Sequence, residues 1–158
     1  MKRISFNDRV GVGSIWSYIQ LGPMRKNSII SFMGIKLVIV DDAPFIREVV
    51  LGVIAGSEIE CIGEAADGEA AVRIVLERKP DVVLMDLVLP VKSGIEAVEE
   101  ILSVASGVRI VACSTMNQEA MVLKALSVGC CDYISKPFEA KRLLQVIRGC
   151  AGKRPAQK

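Results

Sequence analysis

Residues 82–86 read Val82-Val83-Leu84-Met85-Asp86, four apolar residues that run straight into a carboxylate. A short run that is apolar on both faces suits a strand of a parallel sheet covered by helices on both sides, and the charge then marks its carboxyl end. The same pattern stands earlier at Leu37-Val38-Ile39-Val40-Asp41-Asp42. It returns with hydroxyls at Ile110-Val111-Ala112-Cys113-Ser114-Thr115, and a shorter run, Tyr133-Ile134-Ser135, ends in Lys136-Pro137.

Outward from these runs the chain is regular. Strands are expected at 36–40, 59–64, 82–85, 108–113 and 133–135, all apolar on both faces. Helical periodicity fills about 44–56, 68–78, 94–105, 117–128 and 138–150. The inward stripes are Phe45, Val49, Val50 and Val53 on the first helix, Ala71, Ile74 and Val75 on the second, and Ile95, Val98, Ile101, Leu102 and Ala105 on the third. Ser93-Gly94-Ile95-Glu96 is a capping box, Asp67 caps the second helix, Pro80 stops it, and Gly129 sits where a left-handed C-cap belongs. Five β–α units with short connections predict a doubly wound α/β domain with a five-stranded parallel sheet.

The 158 residues fit one domain, and 51% hydrophobic against 24% charged residues predicts a packed core. The mean hydropathy of +0.42 is high. No stretch approaches the roughly 18 consecutive apolar residues of a membrane span, and Asn7, Asp8 and Arg9 break up any signal-peptide core. A cytoplasmic protein without membrane or nucleic-acid partners is expected, the net charge of +2 being too balanced to attract the latter. Residues 1–34 carry five basic residues against Asp8 alone and show no sustained period. They read as an N-terminal extension or a mis-set start before a domain at 35–150, with 151–158 a short basic tail. The five cysteines, Cys61, Cys113, Cys130, Cys131 and Cys150, lack paired metal-site spacing and are expected to be reduced. The absence of histidine excludes Ser-His-Asp and Cys-His catalysis and any role as a phosphohistidine donor.

Function in such sheets collects at the carboxyl ends of the strands. There Asp41, Asp42 and Asp86 would converge, and unit charges about 4 Å apart repel by roughly 4 kcal/mol at an effective dielectric of 20. A hard divalent cation relieves this, and Mg²⁺ with one or two carboxylates fits best. Lys136 adds a positive charge and Ser114 a donor. The set is a phosphoryl-binding constellation in which Asp86 can act as the nucleophile.

Taken together, Val40-Asp41-Asp42, Leu84-Met85-Asp86-Leu87, Pro90 with Gly94, Ser114-Thr115 and Lys136-Pro137-Phe138 resemble the receiver domain of bacterial response regulators over residues 35–150. The spacings of 44 residues from Asp42 to Asp86 and 22 from Ser114 to Lys136 are also similar. Within the family, Cys113-Ser114-Thr115-Met116 and the stretch from Cys131 to Phe138 are similar to the single-domain chemotaxis regulators. The resemblance implies a flavodoxin-like (βα)5 fold and a monomeric phosphoacceptor switch, not an enzyme beyond its own phosphorylation and dephosphorylation. It implies Asp86 as the phosphoacceptor, Mg²⁺ ligated by Asp42, Asp86 and the Val88 carbonyl, and Asp41 acting through water. Ser114 and Lys136 would hold the phosphoryl group, the Lys136–Pro137 bond would be cis, Tyr133 would be an aromatic switch moving with Ser114, and Phe138 would pack under the last helix.

Two departures stand out. Thr115 replaces a small residue and narrows the phosphoryl site, and Val88 and Met116 are apolar where polar residues would orient hydrolytic water. A histidine kinase is the implied donor, and a downstream protein such as the flagellar motor switch is the implied target. The readout patch is expected on Met121, Val122, Lys124, Lys141 and Arg142. A phosphorelay intermediate is the alternative. A Mg²⁺-dependent phosphohydrolase is less favoured, because Val88 stands where its second carboxylate would be.

Overall fold

The computed structural model describes residues 34–115 and 119–152. Expectations placed on residues 1–33, on Met116 and on the last six residues lie outside that span. Ten elements alternate: β1 Ile35–Val40, α1 Pro44–Ile54, β2 Ile59–Ala65, α2 Gly68–Arg78, β3 Val82–Asp86, α3 Gly94–Val104, β4 Arg109–Ser114, α4 Glu119–Ser127, β5 Asp132–Ser135 and α5 Ala140–Ala151. The five strands form one parallel sheet of order β2-β1-β3-β4-β5. The crossover reverses direction beside β1, which opens a crevice at the carboxyl ends of β1 and β3.

Strand periodicity sorts the core into two clusters. Leu37, Ile39, Val82, Leu84 and Val111 face Val50 and Ile54 of α1 and Leu143, Val146, Ile147 and Cys150 of α5, with Phe138 packed beneath. Val38, Val40, Val83, Met85, Ile110 and Ala112 face Ala71 and Val75 of α2, Val98 and Ile101 of α3, and Ala125 of α4. Alternating residues of one strand thus supply both clusters, and burial of the apolar side chains, each stabilising by about 1.5–3 kcal/mol, holds the sheet between its two helical layers.

Local signals match the termini. Ser93 and Glu96 close a reciprocal capping box on α3. Asp67 accepts the Ala70 N–H at the start of α2. Gly129, at φ +111°, turns the chain after α4. The helix after β5 begins at Ala140, not 138, because the turn through Pro137 occupies the intervening residues.

Two expectations are corrected. On α1 Val50 and Val53 pack inward as expected, with Ile54 beside them, whereas Phe45 is 70% exposed and Val49 also faces solvent. The edge strands β2 and β5 are only half-buried, with Glu60 and Glu64 exposed on β2, because each has a neighbour on one side alone. β2 also skips a residue against β1, pairing Cys61 with Leu37 and Gly63 with Val38.

Candidate phosphoryl-accepting site

Register brings the strand ends to one edge. Val40 pairs with Met85, Asp86 with Cys113, and Ser114 with Ser135, so Asp41, Asp86, Ser114 and Lys136 fall side by side. Cross-strand backbone bonds lock them: Leu87 N–H donates to Cys113 O at 3.0 Å and Lys136 N–H to Ser114 O at 2.8 Å. The Lys136–Pro137 peptide is cis, as expected.

Lys136 lies at the centre. Its side chain is 8% exposed, and Nζ donates to Asp41 Oδ2 at 2.5 Å and to Asp86 Oδ2 at 2.6 Å. The other oxygens accept from backbone: Asp41 Oδ1 from Ala43 N–H at 3.0 Å and Asp86 Oδ1 from Val88 N–H at 2.8 Å. Asp42 is exposed, while Asp41 and Asp86 are buried. Among the described residues, carboxylate oxygens of Asp41, Asp42 and Asp86 all lie within 4.8 Å of one another.

Three carboxylates against one ammonium leave a net −2, which one divalent cation would balance. The donors are all oxygens, as a hard cation such as Mg²⁺ requires. The residues therefore fit that ion, with the exposed Asp42 at the outer side of the cluster.

Burial pushes the Asp86 carboxyl above its ordinary pKa. The Lys136 hydrogen bond, the Val88 N–H and the Lys136 charge oppose this, and the Asp41 charge adds to it. Burial works against charge on Lys136 too, but hydrogen bonds to Asp41 and Asp86 and their charges outweigh it and raise its pKa, so it stays cationic. A desolvated carboxylate beside a fixed cation is a nucleophile with little water to displace.

Ser114 is fully buried. It shares the parity of Ile110 and Ala112, which places it on the α2–α4 side of the sheet, where Tyr133 also packs. Burial raises the Tyr133 phenol, opposed by its hydrogen bond with Ser114. The aromatic ring is thus linked to the site through the hydroxyl expected to couple them. Thr115 is exposed beside Ser114, and Val88 is 53% exposed at the rim. Cys113, its thiol pushed up to about 12 by burial, is a neutral packing group; all five cysteines are free.

Two supports were not read from the sequence. Gly94 lies so close to the nucleophile's backbone that a Cβ there would stand 2.1 Å from Asp86 O and 2.5 Å from Leu87 Cα. Arg47, in the first turn of α1, donates through Nη1 to Asp41 O at 2.7 Å and through Nε to Glu64 Oε2 at 2.8 Å. The second has no local signal, since Arg47 and Glu64 lie 17 residues apart and meet only when β1 and β2 pair.

A doubly wound sheet of this strand order, gathering an aspartate triad and a lysine at its carboxyl edge, defines the receiver class of signalling domain. The chain belongs to the response regulator receiver domain family, which it matches over residues 37–148. The chemotaxis protein CheY of Thermotoga maritima is 40% identical to it over 115 residues, covering 73% of this chain and 96% of that one. CheY of Bacillus subtilis is 39% identical with the same coverages. Among solved structures, the response regulator domain of Thermotoga maritima CheB superposes with a TM-score of 0.72 at 33% identity, covering 77% of this chain and 99% of that one. The receiver domain of the sensor histidine kinase PA1611 from Pseudomonas aeruginosa, with magnesium coordinated in its active-site cleft, gives 0.68 at 28%, covering 76% and 99%. CheY in a CheX–CheY–BeF₃–Mg complex from Borrelia burgdorferi gives 0.69 at 27%, covering 72% and 86%. The chain is a CheY-like receiver domain of a two-component response regulator, a signalling switch. Among its described residues no helix is long and apolar enough to cross a membrane.

Proposed function

We propose that a histidine kinase phosphorylates this protein on Asp86 and that the phosphorylated form, in the cytoplasm, signals by binding another protein in chemotaxis, with the flagellar motor switch as target. The observation that carries this reading is the geometry of Asp86, a buried carboxylate tied to Lys136 and set within 4.8 Å of Asp41 and Asp42. Names of relatives, a magnesium-bearing neighbour and a CheY held by CheX support it. Residues 35–150 are the working unit, flanked by the 1–34 extension and the 151–158 tail.

In the transfer an Asp86 oxygen bonds to phosphorus as the P–N bond of a phosphohistidine breaks. The imidazole leaves with the electron pair. Mg²⁺, held by Asp42, Asp86 and the Val88 carbonyl with Asp41 acting through water, would supply charge neutralisation at the phosphoryl oxygens. Lys136 already sits at Asp86 Oδ2 and follows a phosphoryl oxygen. Ser114 exchanges its Tyr133 bond for one to the phosphoryl group, and Thr115 lines the approach.

The product adds about 1.5–2 negative charges. Its readout is a cleft of about 740 Å³ between α4 and α5, lined by Val122, Leu126, Tyr133, Phe138, Lys141 and Arg142. Met121 packs inward, and Lys124 is exposed on the same helix. Ser114, Tyr133 and this cleft are contiguous, so movement of Ser114 alters the cleft wall.

The test is incubation with acetyl phosphate and Mg²⁺, borohydride trapping and mass-spectrometric mapping. Label is expected on Asp86 alone and none on Asp86→Asn, and only the labelled form should retain a motor-switch protein in a pull-down. Undiminished labelling of Asp86→Asn overturns the assignment.

A further inference from the structure

We infer that Arg47 is a positioning residue for the acidic pair, fixing through the Asp41 carbonyl the direction in which Asp42 presents its carboxylate. The inference rests on the reading that Asp42 and Asp86 hold a divalent cation. Asp41 has every polar group committed. Its N–H donates to Ala65 O at 3.0 Å, Oδ1 accepts from Ala43 N–H, Oδ2 accepts from Lys136, and O accepts from Arg47 Nη1 at 2.7 Å. Asp42 is exposed, and its carboxylate has no such set of bonds. What aims it is the backbone.

The Asp41 carbonyl and the Asp42 N–H belong to one rigid peptide plane. Tilting that plane changes Asp42 φ and swings its side chain. The Asp41 Oδ1–Ala43 N–H bond closes a small ring through this plane, and the Arg47 bond grips the plane's carbonyl from outside that ring. Arg47 is itself held, since Nε donates to Glu64 Oε2 at 2.8 Å while its side chain is 19% exposed. One guanidinium thus joins the first turn of α1, the end of β1 and the end of β2. That needs a planar fork with two donors, which lysine lacks. Ala43, the residue before α1, offers no side-chain cap, so the turn relies on this bridge.

Outer-shell partners of this kind are worth roughly 10–100-fold in metal affinity. The experiment is calorimetric titration of the full-length protein with MgCl₂, for wild type, Arg47→Gln, Arg47→Lys, Glu64→Gln and Asp42→Ala, with melting temperatures and metal-free amide spectra alongside. Arg47→Gln is expected to bind Mg²⁺ about tenfold more weakly, Arg47→Lys and Glu64→Gln to fall between it and wild type, and acetyl-phosphate labelling of Arg47→Gln to recover at saturating Mg²⁺. The Asp42 amide resonance should shift in Arg47→Lys without metal, a change that a merely stabilising arginine would not produce. A folded Arg47→Gln with wild-type Mg²⁺ affinity overturns the inference, as does labelling that saturating Mg²⁺ does not restore. Should Arg47→Gln fail to fold, wild-type affinity in Glu64→Gln overturns it equally. Wild type that binds no Mg²⁺ instead fells the site reading, and an unmoved Asp42 amide then fells the inference separately.

Discussion

At the amino end of the sheet, Glu58 and Asp81 lie toward the surface, one paired with an arginine and the other with a backbone amide; at the carboxyl end, two carboxylates and one ammonium are buried beside a third carboxylate. Before β2, Glu58 forms a two-point bridge to Arg148 of α5 at 2.6 and 2.8 Å. Before β3, Asp81 accepts the Lys36 N–H at 2.8 Å. These join neighbouring elements and leave no excess charge inside. Asp41, Asp42 and Asp86 with Lys136 do the reverse.

Backbone space differs likewise. A Cβ on Gly107, in the turn before β4, would meet nothing within 4 Å, whereas one on Gly94 would collide with the main chain of Asp86. Left-handed residues differ too. Lys79 at φ 50° closes α2 with a bond to Val75 O, but Val91 at φ 66°, in the loop after Asp86, is β-branched, and that conformation costs it more. One end is built for stability and the other holds strain and like charge where chemistry needs them.

The largest effect should come from Gly94, with Gly107 as its control. Gly94→Ala forces apart backbone atoms that no rotamer change can relieve, and overpacking of this kind costs about 1–3 kcal/mol or more. We expect a drop in Tm of many degrees and loss of Asp86 labelling. Gly107→Ala should stay within about 0.5 kcal/mol of wild type. Equal melting temperatures for the two would erase the contrast between the ends.

Next is Asp86→Asn. Burial raises the Asp86 pKa above 3.8, so the folded state keeps a proton that the unfolded chain has already released. Stability therefore falls as pH rises from 3.8 through the raised value, and at neutral pH the ionised carboxylate is a cost. The amide should gain on the order of 0.5–2 kcal/mol at pH 7 without divalent cations, the usual size of a function-for-stability exchange. The gap should close on acidification, and with Mg²⁺ present. A destabilised Asp86→Asn at pH 7 would mean that its bond to Lys136 outweighs desolvation.

How far these contrasts were legible beforehand follows from what each depends on. Asp86, Asp42 and Lys136 were readable because an apolar run ending in charge locates itself at a sheet edge. The Ser93–Glu96 box and the Asp67 cap were readable because capping is local. On α1 the sequence does not separate Phe45 and Val49, which face solvent, from Val50 and Val53, which pack inward, since all four are apolar and only docking against α5 decides. Arg47 and Glu64 lie 17 residues apart, and no local rule pairs them. Gly94 was seen as part of a cap, while the reason for glycine there is a contact with the backbone of Asp86.

Val91 offers a smaller change. Relief of a left-handed β-branched residue by Val91→Asn should add about 1 kcal/mol, since αL costs L-residues roughly 1–2 kcal/mol and asparagine tolerates it. Lys79→Asn, at a left-handed cap held by an unbranched side chain, should change stability by less. Urea midpoints with unchanged slopes would read both. A larger gain at Lys79 would put the strain at the wrong end.

The smallest effect belongs to Glu58, and it has the opposite pH sign from Asp86. The Arg148 hydrogen bonds, with the residue's own backbone contact and the guanidinium charge, hold Glu58 at about 2 against an ordinary 4.5. A depressed carboxylate stabilises the fold above the unfolded value and loses that contribution as pH falls through about 2. Because the pair is partly exposed, with side chains 27% and 45% accessible, solvent screening limits it to about 0.5–1 kcal/mol. Glu58→Gln should lower stability by that amount at pH 7, by roughly half or less at pH 3, and by less again at 0.5 M salt, where the screening length is under about 10 Å. Urea melts of wild type and Glu58→Gln across pH 3–7 measure it. A loss that grows on acidification, in parallel with Asp86, would mean that the two ends of the sheet obey one electrostatic rule after all.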